Sequence, residues 1–165
     1  MAIAKNHPLA ESIEALASMP AYVESALARV PASRLAERAT PDAFSLTEQA
    51  CHLRDVEREG YLVRVRRMLD EDMPRLAGFD GAAVARERDY NAQDARIAAT
   101  EFAAARAEVV ALLGATTPGD LERGALFMDE RITLAELVTR MMDHDREHRD
   151  EIAALAVAME AAGWR

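Results

Sequence analysis

The chain has 165 residues, half of them hydrophobic, a formal charge of −9 and a pI near 5.0. That length buries a sizeable core without disulfides or a structural metal. The acidic balance repels phosphate backbones and so excludes nucleic acid as an expected partner.

The whole chain, 1–165, reads as a single domain. Ala is abundant, Gly is sparse, and strand-forming residues never cluster, so the composition favours helix throughout. Cys51 is the only cysteine and has no internal disulfide partner; it reads as a small buried apolar residue in a reducing cytoplasm. Residues 1–8 lack the apolar run of a signal peptide. The longest apolar run, 152–159, falls far short of the roughly 20 residues that span a membrane. A soluble, cytoplasmic protein with no membrane partner is expected.

Residues 9–30 read as helical, with apolar positions at Ile13, Leu16, Val23, Leu27 and Val30. Pro20 interrupts them, which predicts either one kinked helix or two short ones, the second starting near Pro20. Pro31 and Pro41 bracket a connection. The second helix opens with a capping box, Ser45-Leu-Thr-Glu48, and should run to about Asp72. Within it Arg64-Val65-Arg66-Arg67 reads as a solvated basic face. Pro74, Gly78 and Gly81 mark a long loop to about Tyr90. A third helix is expected from an N-cap at Asn91, with Ala98, Phe102, Ala105, Val109 and Leu112 as its stripe and Gly114 as its C-terminal cap. Residues 121–132 are expected to form a loop with one short helical turn. A second capping box, Thr133-Leu-Ala-Glu136, opens a fourth helix that runs to about Ala161 and stops at Gly163. Four amphipathic helices with connections of mixed length argue an all-α four-helix bundle.

His144 and His148 lie four residues apart in the fourth helix. At roughly 100° per residue they point the same way, one turn apart. Leu134, Leu137, Met141, Ile152, Leu155 and Met159 all fall within about 40° of His148 on an ideal helix. The pair therefore sits mid-stripe on the core-facing side. Two buried imidazoles need partners. Either each bonds backbone or a nearby acid, or one divalent cation satisfies both. His52 strengthens the cation reading, because it sits at the edge of the apolar face of the second helix, where it could reach a cavity between helices. Glu48, Asp55 and Glu59 beside it could orient an imidazole or could be a solvated face. Three histidines leave a coordination position open, the arrangement of catalytic rather than structural zinc. Such a metal lowers the pKa of bound water or thiol. His7, before Pro8, reads as an exposed bystander. There is no Glu-x-x-His, no His-Glu-x-x-His, no Gly-x-Ser-x-Gly and no Walker loop.

Ser45-Leu-Thr-Glu-Gln-Ala-Cys-His52-Leu-Arg-Asp55-Val-Glu57 resembles the second-helix signature of the DinB-like superfamily, also called DinB/YfiT-like. His144-Asp145-Arg-Glu-His148-Arg-Asp-Glu-Ile152 resembles its fourth-helix His-Asp-x-x-His motif. Residues 86–93 resemble its middle. The resemblance spans about Pro20 to Leu155. It implies an up-down-down-up bundle with a long crossover, often a homodimer. It also implies one divalent metal ion, such as zinc or nickel, on His52, His144 and His148. Characterised members include transferases and isomerases that use low-molecular-weight thiols. Two functions follow as expectations. One is a metal-dependent enzyme that activates water or a small thiol against a small-molecule substrate. The other is a non-catalytic helical dimer or stress-response binding module whose metal is structural or vestigial, which a closed or very small pocket would favour.

Overall fold

The computed structural model describes residues 7–161 and Gly163; residues 1–6 of the segment read as lacking a signal run lie outside the described residues. In chain order the elements are α1 (Ala10–Arg29), a 3-10 turn (Ala32–Arg34) and α2 (Leu46–Asp55). A π-helical turn (Val56–Tyr61) leads from α2 into α3 (Leu62–Asp70). Next come β1 (Arg75–Leu76), α4 (Gly81–Glu87), a 3-10 turn (Tyr90–Ala92) and α5 (Ala95–Gly114). Last are α6 (Pro118–Leu121), β2 (Gly124–Phe127), β3 (Glu130–Thr133) and α7 (Leu134–Ala161). The four bundle helices are α1, α2 with α3, α5 and α7.

Side-chain contacts fix their directions. Cys51 meets Gln93, Glu57 meets Arg106 and Arg66 meets Glu108, so the second and third bundle helices run parallel. Leu16 meets Arg106 and His7 meets Thr116, so the first runs against the third. Gln49 meets Glu151 and His52 meets His144, so the second runs against the fourth. The order is up, down, down, up, and the parallel central pair requires the long crossover at residues 71–94 that joins them. Among the described residues no helix is long and apolar enough to cross a membrane.

Pro20 sits inside a single continuous α1. Its ring removes the N–H that would bond the carbonyl of Leu16. That carbonyl instead accepts from Arg106 Nη1 at 3.0 Å. Arg106, 1% exposed, is the largest fully buried side chain among the described residues. It also donates to both carboxylate oxygens of Glu57 and of Asp145 at 2.6–3.0 Å. Burial alone would pull its pKa down, but the two carboxylates more than offset this and hold the guanidinium charged. This triad ties α1, the π turn, α5 and α7 together in the core. Truncating Arg106 leaves two buried carboxylates unpaired, so Arg106→Ala is expected to destabilise the fold by about 3–5 kcal/mol. Urea denaturation measures this.

Both capping boxes form as the sequence predicts, at Ser45 with Glu48 and at Thr133 with Glu136. Gly163 adopts a left-handed φ of 82° just past the end of α7. Three expectations are corrected. Asn91 falls in a 3-10 turn, and Asp94 caps α5 by accepting from the N–H groups of Arg96 and Ile97. Gly114 is the last helical residue rather than a left-handed cap. Within residues 121–132, only Leu121 is helical, as the end of α6; the rest is mainly an antiparallel hairpin, β2 with β3, extended by β1 pairing parallel to β2. Its turn, Met128-Asp129, has positive φ at both residues, as a type I′ two-residue hairpin turn requires, without the glycine that usually marks it.

Candidate metal centre

His52 projects from the second turn of α2, and His144 and His148 from consecutive turns of α7. Leu134, Leu137, Met141, Ile152, Leu155 and Met159 are all buried around the pair, as the helical spacing predicts. The three rings converge. His144 Nε2 lies 3.2 Å from His52 Nε2 and 3.1 Å from His148 Nε2. Two nitrogens bound to one ion at about 2.0–2.1 Å stand roughly 3.0–3.4 Å apart, so the separations fit a shared cation. Among the described residues these three are the one His/Cys/Asp/Glu group whose ligand atoms cluster in this way, all within 4.8 Å of one another.

The partners of the outer nitrogens fix one tautomer. Gln49 Nε2 donates to Glu151 at 2.7 Å, which turns its carbonyl oxygen toward His148 Nδ1 at 2.6 Å. His148 therefore carries its proton on Nδ1 and presents a lone pair at Nε2. His52 Nδ1 and His144 Nδ1 are buried with no hydrogen-bond partner among the described residues. Three neutral imidazoles facing one another cannot satisfy all their nitrogens, whereas one cation engages all three Nε2 atoms at once.

Burial is the largest cause of the electrostatic shifts. It lowers the pKa of His52 to about 4, helped by the neighbouring His148. It lowers His144 to about 2, helped by His148 and His52 and by the charges of Arg106 and Arg64. His148 is lowered as well, against the pull of Glu151. All three imidazoles stay neutral at pH 7, the form that binds metal.

Aromatic rings pack around the cluster. Phe44 and Phe79 flank His52, and Tyr61 stands edge-on to His144. The helix that begins at Gly81 closes against His52. A Cβ built on Gly81 would lie 2.4 Å from His52 Cε1, so the ring occupies space that only glycine leaves. Gly81→Ala is expected to displace His52 and weaken divalent-metal affinity by about 10–100-fold, the range for disturbing a ligand's support. Competition with a metallochromic chelator reads this out.

The acids next to His52 do not orient it. Glu48 serves the capping box and pairs with Arg38, Asp55 accepts from Tyr90, Arg54 and Arg88, and Glu59 pairs with Arg88. Asp145 of the His-Asp-x-x-His motif turns to Arg106. The orienting pair, Gln49 and Glu151, was not singled out from sequence. Its signal is helical spacing, since Gln49 lies three residues before His52 and Glu151 three after His148. His7 is a half-buried clip rather than an exposed bystander: its ring bonds the Thr116 carbonyl and accepts from the N–H of Leu9 at the start of α1. Cys51 is fully buried, and burial pushes its thiol up to about 11, which leaves it inert at neutral pH.

The cluster opens on a cavity of about 930 Å³. Phe44, Phe79, Phe127, Val56 and Leu155 supply apolar wall, and Tyr61, Arg64, Gln49 and Glu151 supply polar groups.

A model of the DinB superfamily matches residues 15–152. Among solved structures, YfiT from Bacillus subtilis matches with a TM-score of 0.86 at 22% identity, over 99% of this chain and 92% of that one. That protein is described as a probable metal-dependent hydrolase with an unusual four-helix bundle topology. At this identity the likeness shows the fold. Comparison with curated protein sequences finds no match.

Proposed function

The chain belongs to the DinB superfamily, and we propose that it is a metal-dependent enzyme in which His52, His144 and His148 hold one divalent ion, zinc or nickel, through their Nε2 atoms. The observation that carries this reading is the convergence of three neutral imidazoles on one point at the wall of a large cavity. No carboxylate or thiol joins them as a fourth ligand among the described residues. When bound, such an ion supplies Lewis acidity to a water or thiol at its open position.

The chain's own residues do the rest. Glu151 and Gln49 hold His148 in its tautomer. Burial pushes the Tyr61 phenol up to about 12, so its hydroxyl keeps its proton and serves as a donor beside His144. Phe44, Phe79 and Phe127 shed water and take the apolar body of a substrate. The reaction is attack of water or a low-molecular-weight thiol on a small electrophile. The description of the Bacillus subtilis structure supports the hydrolytic form. The cavity volume, near the top of the range for small-molecule sites, supports a two-reactant form with a thiol. An open cavity of this size weighs against a non-catalytic module with a structural metal.

Elemental analysis of protein purified without a metal-affinity tag tests the reading. One zinc or nickel per chain is expected, followed by turnover of a panel of esters and alkylating electrophiles, with and without a small thiol. Protein that takes up no stoichiometric metal on reconstitution would sink it. A homodimer is part of the same proposal on the strength of the family. Sedimentation equilibrium at micromolar concentration should give twice the 18.1 kDa chain mass.

A further inference from the structure

Two buried arginines among the described residues, Arg106 and Arg64, differ in how their charge is balanced. Arg106 is neutralised by Glu57 and Asp145. Arg64, 6% exposed, pairs with no carboxylate among the described residues. Its Nε and Nη2 both donate to the Ala77 carbonyl, at 3.2 and 2.9 Å. Its guanidinium carbon lies 5.3 Å from the Tyr61 ring centroid and 4.8 Å from that of Phe127. The carbonyl and the two rings fix the group in place without cancelling its charge. A buried cation with no counter-ion is costly, and burial pulls its pKa down accordingly.

The side chain lines the same cavity as the three histidines. With one edge of the guanidinium held by Ala77, the edge that carries Nη1 is left to donate. That edge pairs one N–H of Nη1 with the second N–H of Nη2, a fork that matches the two oxygens of a carboxylate. Tyr61 lies between the two centres, edge-on to His144 and under the Arg64 guanidinium. The acidic residues of the cavity wall, Asp42 and Glu151, make no bond to Arg64, and Glu151 is engaged by Gln49 and His148.

We propose that Arg64 is the anion-recognition residue of this cavity, and that its substrate is a small carboxylic acid with an apolar or aromatic body, its carboxylate on Arg64 and its reacting end at the histidine cluster. The proposal rests on reading the cavity as a substrate site, and it stands apart from the identity of the metal. The unmatched charge is completed by the ligand, and neutral analogues leave the guanidinium unpaired.

Calorimetric titration with phenylbutyrate and its uncharged amide tests it, on zinc-loaded and on chelator-treated protein. Wild type should bind the acid about tenfold or more tightly than the amide in both forms, the strength of a hydrogen bond to a charged group. Arg64→Gln should abolish that preference, and Arg64→Lys, which keeps the charge and loses the fork, should retain part of it. Zinc content should be the same in wild type and both variants. A wild type that does not prefer the acid overturns the proposal, whether or not Arg64→Gln folds. So does a preference that survives Arg64→Gln, or one confined to the zinc-loaded protein, which would make the carboxylate a metal ligand. Loss of zinc binding with the Arg64-dependent preference intact would instead overturn the metal reading alone.

Discussion

Alanine at His52, His144 or His148 is expected to lower divalent-metal affinity by more than about 100-fold, a larger loss than removing a ligand's hydrogen-bond support causes. Each ring supplies one of three nitrogens, with His144 Nε2 3.2 Å from that of His52 and 3.1 Å from that of His148, and among the described residues no neighbouring acid or thiol is positioned to replace it. Gln49→Leu should cost about 10–100-fold, because His148 Nδ1 loses the closer of its two acceptors, at 2.6 Å, and keeps only Glu151 at 3.2 Å. The variants should still fold at pH 7. His52 and His144 each carry a buried nitrogen without a partner, so their removal relieves an unsatisfied group even as it leaves a small cavity. Metal per chain after gel filtration, with circular dichroism as the folding control, decides the matter. Full metal content in the His52→Ala protein would show that the second bundle helix contributes no ligand.

Where the sequence was legible, local rules and tertiary demands agreed. Both capping boxes, the buried stripe of α7 and the placement of the two α7 histidines within it follow from spacing alone. The failures share physical causes. An unbroken helical period after Val56 turns Val63 inward and leaves Arg64 to one side. The π turn at residues 56–61 takes in one extra residue and advances the downstream face by one position, so Tyr61, Arg64 and Met68 face in and Val63 is 44% exposed. That is why a basic run that reads as a solvated face delivers one of its arginines to the cavity, while Arg66 and Arg67 stay outside with Glu108 and Glu71. Arg106 on α5 carries no signal of burial in its own segment; it is buried because three distant segments supply acceptors for it. The hairpin was missed because Met128 and Asp129 adopt positive φ without glycine or asparagine to announce it.

Acid should destabilise the metal-free protein from about pH 6.5 downward, above the range in which exposed carboxylates titrate. The three histidines have folded-state pKa values depressed below the unfolded reference of 6.5, His52 to about 4 and His144 to about 2. Above pH 6.5 both states are neutral at these rings and nothing changes with pH. Below it the unfolded chain takes up protons that the folded chain refuses. Stability is then lost at roughly 1.4 kcal/mol per pH unit for each such histidine, until the folded ring itself titrates. His52 and His144 together give a slope of up to about 3 kcal/mol per unit between pH 6.5 and 5, to which His148 adds, whereas carboxylates with lowered pKa, such as Glu48 and Asp55, contribute only near and below their ordinary range. His144→Gln should remove about 1.4 kcal/mol per unit of that slope. Metal adds a second term. An ion at 1,000 times its Kd stabilises the folded state by about 4.1 kcal/mol. Imidazoles with the ordinary pKa of about 6.5 would lose the ion to protons just below that value. The depressed values move that competition lower, because the folded rings remain neutral and able to bind. The gap between chelator-treated and metal-loaded melting temperatures should therefore persist at pH 5 and close only as the pH approaches 4, where His52 begins to protonate in the folded chain. Melting curves at pH 7, 6, 5 and 4 with and without chelator test both terms. A metal-free protein whose melting temperature is flat from pH 7 to 5 would mean that the three imidazoles are far more solvated than their burial indicates.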